Sequence, residues 1–318
     1  AVAVEKCAED TKGQTCYICM EAVHWKTKEG LVRGCSCRGT AGFAHVSCLA
    51  EQAKILVAEA EENNLGDEVF DERFRRWNKC SLCEQDYHGV VACALGWACW
   101  KTYVGRQEAD QARRMAMTDL GNGLYAAVHD ADALCVQEAE LSMERRLGAP
   151  EEHILVVQGN IASTHQLLGR GKQALLLRRD VYFGFLKLKG EENVNTLREA
   201  DNYAVSFFGA KRFQEAKSLL RKTILVARRV LGENDGTTLR MRFTYAETLY
   251  KDDRATLGDL REAVSTLEET ERITRRVLGV SHPVVVDIEE SLQEAQEAGI
   301  ECAHSIPDQS PSPLENRK

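Results

Sequence analysis

The segments CYIC (16–19), GCSCRGTAGFAHVSCL (34–49) and KCSLC (79–83) decide how the first part of this chain folds. Together they contain seven cysteines and one histidine in four close pairs: Cys16 and Cys19, Cys35 and Cys37, His45 and Cys48, Cys80 and Cys83. A structural zinc ion takes four thiolate or imidazole ligands. Because a pair separated by one or two residues can bind one ion from a tight turn, these eight side chains predict two closed zinc sites.

Two other interpretations of these cysteines exist. Free cysteine is often buried as a small apolar residue, but four pairs in this register do not plausibly arise by chance. A disulfide framework belongs to short secreted chains, and the first fifteen residues, AVAVEKCAEDTKGQT, are too polar for a secretory signal. Zinc is therefore favoured, and the five remaining cysteines, which show no pairing pattern, indicate a reducing compartment.

The ligand order of four cysteines, one histidine and three cysteines resembles the RING-variant (RING-CH) zinc finger. The tight Cys35-Ser36-Cys37 pair, its distance to His45 and the Arg38-Gly39-Thr40 segment fit the same family. The resemblance implies two interleaved sites, with these ligand sets: Cys16, Cys19, His45 and Cys48 for one zinc, and Cys35, Cys37, Cys80 and Cys83 for the other. The PHD finger shares the ligand order but usually has a wider second pair, so a PHD-like reader of histone tails is a weaker alternative.

Composition limits the remaining possibilities. A chain of 318 residues can form two or three domains, and 44% apolar with 28% charged residues is typical of a soluble globular protein. The net charge of −8 argues against nucleic-acid binding, which needs clustered Lys and Arg. The apolar run VVACALGWACW (90–100) is shorter than the roughly 20 residues of a membrane span. It predicts instead a core helix over 90–104.

From residue 107 the sequence repeats. Gly148, Gly190, Gly232 and Gly279 follow one another at intervals of 42, 42 and 47 residues. A small residue also recurs where each second helix is expected to begin: Ala133, Ala174, Ala216 and Ala263. The stretches GNIASTHQLLGRGKQALLLRRDV (159–181) and DNYAVSFFGAKRFQEAKSLLRKTI (201–224) resemble tetratricopeptide repeats of the kinesin-light-chain type. This resemblance implies about four helix pairs over 107–279 and a last helix over 282–298, entered through Ser281-His282-Pro283.

The predicted fold class is mainly α, with a small two-zinc cross-brace finger followed by an α-helical repeat solenoid. The predicted divisions of the chain are these: a flexible N-terminus over 1–15, the finger over 16–88, a linking core helix over 89–106, the repeats over 107–300, and a disordered tail over 303–318.

The sequence shows no evident pairing of a nucleophile with a base. Glutamates at helical spacing beside arginines in the repeats indicate solvated faces, and His129, His153 and His165 are isolated. The RING-variant resemblance implies a ubiquitin ligase without a catalytic residue of its own. In such a ligase the finger binds a ubiquitin-charged conjugating enzyme and a second region binds the substrate, so catalysis is mainly by proximity. The resemblance also makes Ile18 the candidate contact with the conjugating enzyme.

Three positions depart from the pattern of active RING domains. Glu84 follows the last ligand, where a cation often helps to hold ubiquitin. Ser81 and Leu82 lie where proline is common, and Gln52 replaces a frequent aromatic residue. These departures keep a second hypothesis open, a non-enzymatic zinc-finger and repeat scaffold for protein–protein interaction. The expected location is the cytoplasm, with the nucleus as the alternative.

The first helices of the repeats are expected to line a groove that binds a protein or peptide. In kinesin-light-chain-like repeats, an asparagine two residues before the small residue of each first helix, here Ala162 and Ala204, bonds the backbone of a bound peptide. Asn160 and Asn202 occupy that position here. Arg198 and Arg240 lie four residues before Asn202 and Thr244, and they favour an acidic peptide. The competing interpretation is that all four are solvated helix residues.

Overall fold

The structure is a computed structural model, and it describes residues 1–278 and 283–304. These residues form helices joined by turns, with two isolated antiparallel bridges, Val32 to Ala44 and Lys79 to Asp86, and no longer strand among them. The predicted mainly α fold class is confirmed. The chain divides into two compact units, the first ending at Arg170 and the second beginning at Gly171.

The first unit contains the zinc-ligand segments and seven helices. In chain order these are α1 (Val2–Lys6), α2 (Val46–Glu62), α3 (Gly66–Phe74), α4 (Gly89–Tyr103), α5 (Gln111–Ala126), α6 (Asp130–Arg146) and α7 (Glu151–Leu167). A short 3₁₀ turn, Arg75–Trp77, follows α3.

The N-terminus differs from the flexible segment predicted over 1–15. Helix α1 forms there, and Ala3 and Cys7 are buried in the same apolar cluster as Val91 and Leu95 of α4. An isolated helix this short is unstable in water, so packing on a neighbour must stabilise it. Sequence patterns do not reveal such packing, because the apolar segment is short and polar residues follow it.

Helix α4 lies where the sequence predicts a core helix, and it packs closely against α5. A Cβ atom on Gly96 would lie 2.7 Å from the carbonyl oxygen of Asp119, and one on Gly123 would lie 2.7 Å from that of Ala92. This contact makes the first helix of the repeats part of the first unit, whereas the predicted boundary between the two regions lies between residues 106 and 107. Among the described helices, none combines the length and low charge needed to cross a membrane.

The second unit consists of six described helices. They are α8 (Gly171–Lys189), α9 (Val194–Gly209), α10 (Phe213–Val230), α11 (Gly236–Tyr250), α12 (Leu257–Leu278) and α13 (Pro283–His304). Along the chain, α5 to α12 follow the predicted order of four helix pairs, and α13 follows them as the predicted last helix. The alanines predicted near the start of each second helix are fully buried, as close approach of helices requires: Ala133, Ala174, Ala216 and Ala263.

The glycine landmarks mark helix ends. Gly148, Gly190 and Gly232 follow α6, α8 and α10 with φ of 66°, 80° and 91°. Glycine takes this left-handed conformation without a steric penalty, which explains its recurrence after the helices. The fourth landmark, Gly279, lies outside the described residues, as do Ser281, His282 and residues 305–318 of the predicted tail.

Candidate metal centres

The predicted ligands assemble into two clusters in the first unit. Within each cluster the four ligand atoms lie within 4.8 Å of one another. The members are Cys16, Cys19, His45 and Cys48 in the first cluster, and Cys35, Cys37, Cys80 and Cys83 in the second. In each cluster, the two ligand pairs are separated along the chain by one pair of the other cluster. This interleaved arrangement is a cross-brace.

The spacing of the ligand atoms fits tetrahedral zinc. His45 Nδ1 lies 3.4 Å from Cys19 Sγ and 3.5 Å from Cys48 Sγ, and Cys37 Sγ lies 3.8 Å from Cys80 Sγ. With bonds of about 2.3 Å to sulfur and 2.0 Å to nitrogen, a tetrahedron has edges of about 3.5 and 3.8 Å. A disulfide needs sulfur atoms about 2.05 Å apart. The clusters fit two zinc ions, and the twelve cysteines are all free of disulfide bonds.

Two turns of matching geometry present the Cys-x2-Cys pairs. In the first, the Ile18 N–H points at Cys16 Sγ at 3.4 Å, and the Met20 N–H donates to the Cys16 carbonyl at 2.9 Å. In the second, the N–H groups of Leu82 and Glu84 make the same two contacts to Cys80, at 3.4 and 2.9 Å. The residue after each pair has positive φ, 64° at Met20 and 55° at Glu84. The N–H groups of Ile18 and Leu82, which point at sulfur, stabilise a thiolate, the form that binds zinc.

The electrostatics of the ligands also fit a bound cation. Burial, together with the Cys80 thiol, raises the pKa of Cys35 to about 11, although hydrogen bonds with Cys37 oppose the rise. Four sulfurs in contact resist acquiring several negative charges, and a divalent cation supplies the compensating charge. Burial lowers the pKa of His45, which keeps its imidazole neutral with a lone pair for a metal.

Gly42 gives a direct test of the second cluster. Its φ is 82°, and a Cβ atom there would lie 2.6 Å from Cys37 Cβ and 3.1 Å from Cys35 Sγ. We expect Gly42→Ala to displace these two ligands and lower the occupancy of the second site, measured as zinc per chain by mass spectrometry. The matched control is Gly39→Ala, because Gly39 has a similar φ of 60° and open space around its Cα. Equal zinc content in both variants would contradict this account.

The two turns also touch each other. Tyr17 Oη and Ser81 Oγ lie 3.2 Å apart and share a hydrogen bond. The next residue in each turn is apolar, and both remain accessible: Ile18 is half-buried and Leu82 is 51% exposed. The RING-variant resemblance indicates Ile18 as a contact and does not indicate Leu82. The signal was present, since the two residues hold equivalent positions in the Cys-x2-Cys pairs.

Glu84 is engaged within the finger. Its carboxylate accepts from both terminal nitrogens of Arg76, at 2.8 and 2.9 Å, and this contact lowers the pKa of Glu84. The position where a cation is frequent in RING domains is therefore occupied by a neutralised ion pair. Gln52 lies on α2 and is half-buried.

The residues predicted to bind a peptide are found in both units. Asn160 is half-buried on α7, in the first unit. In the second, Asn202 donates to Glu199 at 3.1 Å and accepts from Arg240 at 3.4 Å. Arg240 also forms an ion pair of 2.6 Å with Asp201, a fully buried residue. Arg240 thus neutralises a buried carboxylate, a contact that neither the acidic-peptide prediction nor the competing interpretation of solvated residues included. Arg198 is exposed.

Comparisons with known proteins agree with this architecture. Residues 16–83 match the RING-variant domain family, and residues 197–235 match the tetratricopeptide repeat family. No curated protein sequence matches the chain.

Solved structures also align with the chain. One is a kinesin light chain with nearly identical TPR-like repeats from Podosopora anserina, at 18% identity and a TM-score of 0.46, covering 73% of this chain and 97% of that one. Another is BtubC (BKLC) from P. vanneervenii, at 12% identity and a TM-score of 0.46, covering 86% of this chain and 97% of that one.

The fold and the two clusters define the class of protein. The chain contains a RING-variant zinc finger that fits two zinc ions and, after it, tetratricopeptide repeats. Repeats of this kind bind protein or peptide partners. The chain is therefore a zinc-binding protein-interaction scaffold.

Proposed function

We propose that the finger binds a ubiquitin-charged conjugating enzyme and that the repeats hold the protein to be modified. The observation that carries this proposal is the pair of linked turns. Each of two metal sites presents one accessible apolar side chain, Ile18 or Leu82, and the Tyr17–Ser81 hydrogen bond holds the turns together. Apolar anchors on a rigid support are typical of protein interfaces.

In this proposal the chain positions the reactants and contributes no catalytic side chain. The two metal ions would fix the shape of the turns, and no side chain of the finger would accept or donate a proton. A substrate lysine held close to the thioester of the conjugating enzyme would react through proximity and orientation. We place this reaction in the cytoplasm or nucleus, where a reducing environment preserves zinc thiolates.

For the substrate, we propose a peptide along the first helices of the second unit. Arg198, which is exposed, would attract an acidic side chain. The amide of Asn202 would bond the peptide backbone after exchanging its contacts to Glu199 and Arg240. In the first unit, Asn160 of α7 would separately bond the backbone of a bound peptide. Arg240 would contribute through its exposed edge, since 48% of its side chain remains accessible beside Asp201.

The test is discharge of ubiquitin from a panel of conjugating enzymes. We expect Ile18→Ala and Leu82→Ala each to lower the discharge rate about tenfold, because loss of one apolar anchor costs on the order of 1–2 kcal/mol at an interface. Zinc content should remain that of the wild type, since neither side chain is a ligand. Val128→Ala is the matched control, because Val128 is an exposed apolar residue that lies between α5 and α6.

The alternative function is a scaffold without ligase activity, and the Arg76–Glu84 pair favours it. A carboxylate at position 84, neutralised by its own neighbour, does not provide the cation that helps to hold ubiquitin in many RING domains. If the wild type discharges no conjugating enzyme while its zinc content is intact, the scaffold function replaces the ligase.

A further inference from the structure

A cavity of about 280 Å³ lies among α3, α5, α6 and α7 of the first unit, away from the metal centres. Its walls combine charged and apolar side chains. The charged wall includes Glu140 and Glu144 of α6 with Arg114 of α5, while Met115 and Val157 contribute apolar surface.

The two glutamates of this cavity are in different electrostatic states. Glu144 is 4% exposed, and Arg114 donates to both of its carboxylate oxygens, from Nε at 2.7 Å and from one terminal nitrogen. Glu140 is 2% exposed, and its Oε1 accepts from the Thr118 hydroxyl. Its Oε2 is also buried, and no donor in the described part of the chain reaches it. The cavity thus holds a buried carboxylate, Glu140, with which no cation among the described residues forms an ion pair.

An unpaired buried carboxylate is costly, since burial disfavours the charged form. Burial raises the pKa of Glu140 to about 7, with Glu144 and Asp119 adding repulsion and Thr118 opposing the rise. The charge of Arg114 opposes this rise in pKa only in part, because the hydrogen bonds of Arg114 go to Glu144 and to His153 Nδ1, 3.3 Å away, and not to Glu140. A cation from outside the chain would remove the cost of burial.

We propose that this cavity binds the side chain of a lysine from a partner protein, with the ammonium group donating to Glu140 Oε2. Only one carboxylate oxygen is free, which suits the single-point contact of an ammonium group better than the two-pronged contact of a guanidinium. The four-carbon stem would lie against the apolar wall, where Val156, 44% exposed, marks the solvent side. The inference does not depend on ligase activity.

A metal ion is the other cation to consider. In residues 1–278 and 283–304, the two clusters of the finger are the groups of three or more histidine, cysteine or carboxylate side chains that lie close enough to share an ion. Glu140, Glu144 and His153 do not form such a group, so the geometry favours an organic cation.

Lysine binding should depend on pH because Glu140 must be ionised. Affinity is expected to rise from pH 6 to pH 8, as Glu140 loses its proton while lysine keeps its own. The other charged and titratable groups that face Glu140 or line the cavity are Asp71 on α3, Arg114 and Asp119 on α5, Glu144 on α6 and His153 on α7. His153 lines the same cavity, so His153→Gln must retain the pH dependence and Glu140→Gln must lose it.

The experiment begins with a random peptide library selected against the full zinc-loaded chain. The dissociation constant of the best peptide is then measured in its lysine, acetyl-lysine and arginine forms, with n-butylammonium as the free amine. We expect enrichment of lysine, and binding at least about tenfold weaker when the lysine is acetylated or when the protein carries Glu140→Gln, because a charge-assisted hydrogen bond is lost. If n-butylammonium binds the cavity but the library yields no binding peptide, the cavity would be assigned to a free amine. That result would overturn the assignment to a protein partner.

Two variants protect this test against misfolding. Glu140→Gln keeps an acceptor for Thr118 and removes a buried charge, so its melting temperature should equal or exceed that of the wild type. Val156→Lys changes an exposed position and should block the cavity. The matched control is Glu247→Gln on α11, because burial raises the pKa of Glu247 to about 7 as well, but Glu247 lies in the second unit. The proposal fails if no lysine is enriched, if acetyl-lysine binds equally, or if Glu140→Gln and Glu247→Gln behave alike.

Discussion

Cys35→Ser is expected to lower the zinc content from two ions per chain to one, with loss of structure around the second cluster. Cys35 is buried and supplies one of four ligands. The apparent binding free energy of a structural zinc site is about 10–16 kcal/mol, and it is realised only when the chain folds around the ion. Removing a thiolate therefore removes much of what stabilises the surrounding turns. Zinc per chain and hydrogen exchange of residues 34–49 and 79–83 measure the two effects.

Chelation of both ions extends this prediction. Amides of the finger should exchange rapidly, while those of α9 to α12 remain protected, because the second unit contributes no ligand to either cluster. The matched control is Cys135→Ser, which replaces an exposed cysteine on α6 that belongs to neither cluster. Equal zinc loss in Cys35→Ser and Cys135→Ser, or full protection of the finger without metal, would contradict the assignment of the ligands.

Gly123→Ala is expected to destabilise the first unit by roughly 1–3 kcal/mol, the usual cost of overpacking. In an exposed helix the same change stabilises by about 1 kcal/mol, because glycine is a poor helix former. Here the added methyl group would lie 2.7 Å from the carbonyl oxygen of Ala92 and 3.1 Å from Cys93 Cα. Backbone atoms of α4 cannot give way as a flexible side chain can, so the two helices must separate.

The measurement is chemical denaturation of the full chain, followed by tryptophan fluorescence, since Trp97 and Trp100 lie on α4. Gly121→Ala is the matched control. Gly121 lies on the same helix, but the nearest atom to an added Cβ there is a side-chain atom, Cγ of Gln137, at 3.3 Å. A stability gain for both variants would show that α4 and α5 are not held together by this contact.

The link between α4 and α5 also bears on function. Val91 and Leu95 of α4 pack with finger residues such as Phe43, whereas Ala92 and Gly96 of α4 meet α5. One helix therefore connects the metal centres to the first helix of the repeats within the first unit. If the finger binds a conjugating enzyme, this connection fixes its position relative to the cavity that contains Glu140.

The sequence alone determined the parts of this protein that depend on local spacing. Two metal sites follow from cysteine pairs one or two residues apart, since a tight turn brings such side chains together without help from the rest of the chain. The repeats follow from glycines that adopt positive φ after helices and from small residues such as Ala174 and Ala216, which are fully buried where helices approach closely.

Only the tertiary structure decided which side chains of the same kind are buried or paired. Glutamates beside arginines at helical spacing indicated solvated faces, yet Glu140 and Glu144 are buried and only Glu144 meets an arginine. Arg240 meets the buried Asp201 from a different helix, and α1 is stabilised by packing on α4. Such contacts join residues far apart in sequence, and their partners depend on how the helices pack, which no local spacing encodes.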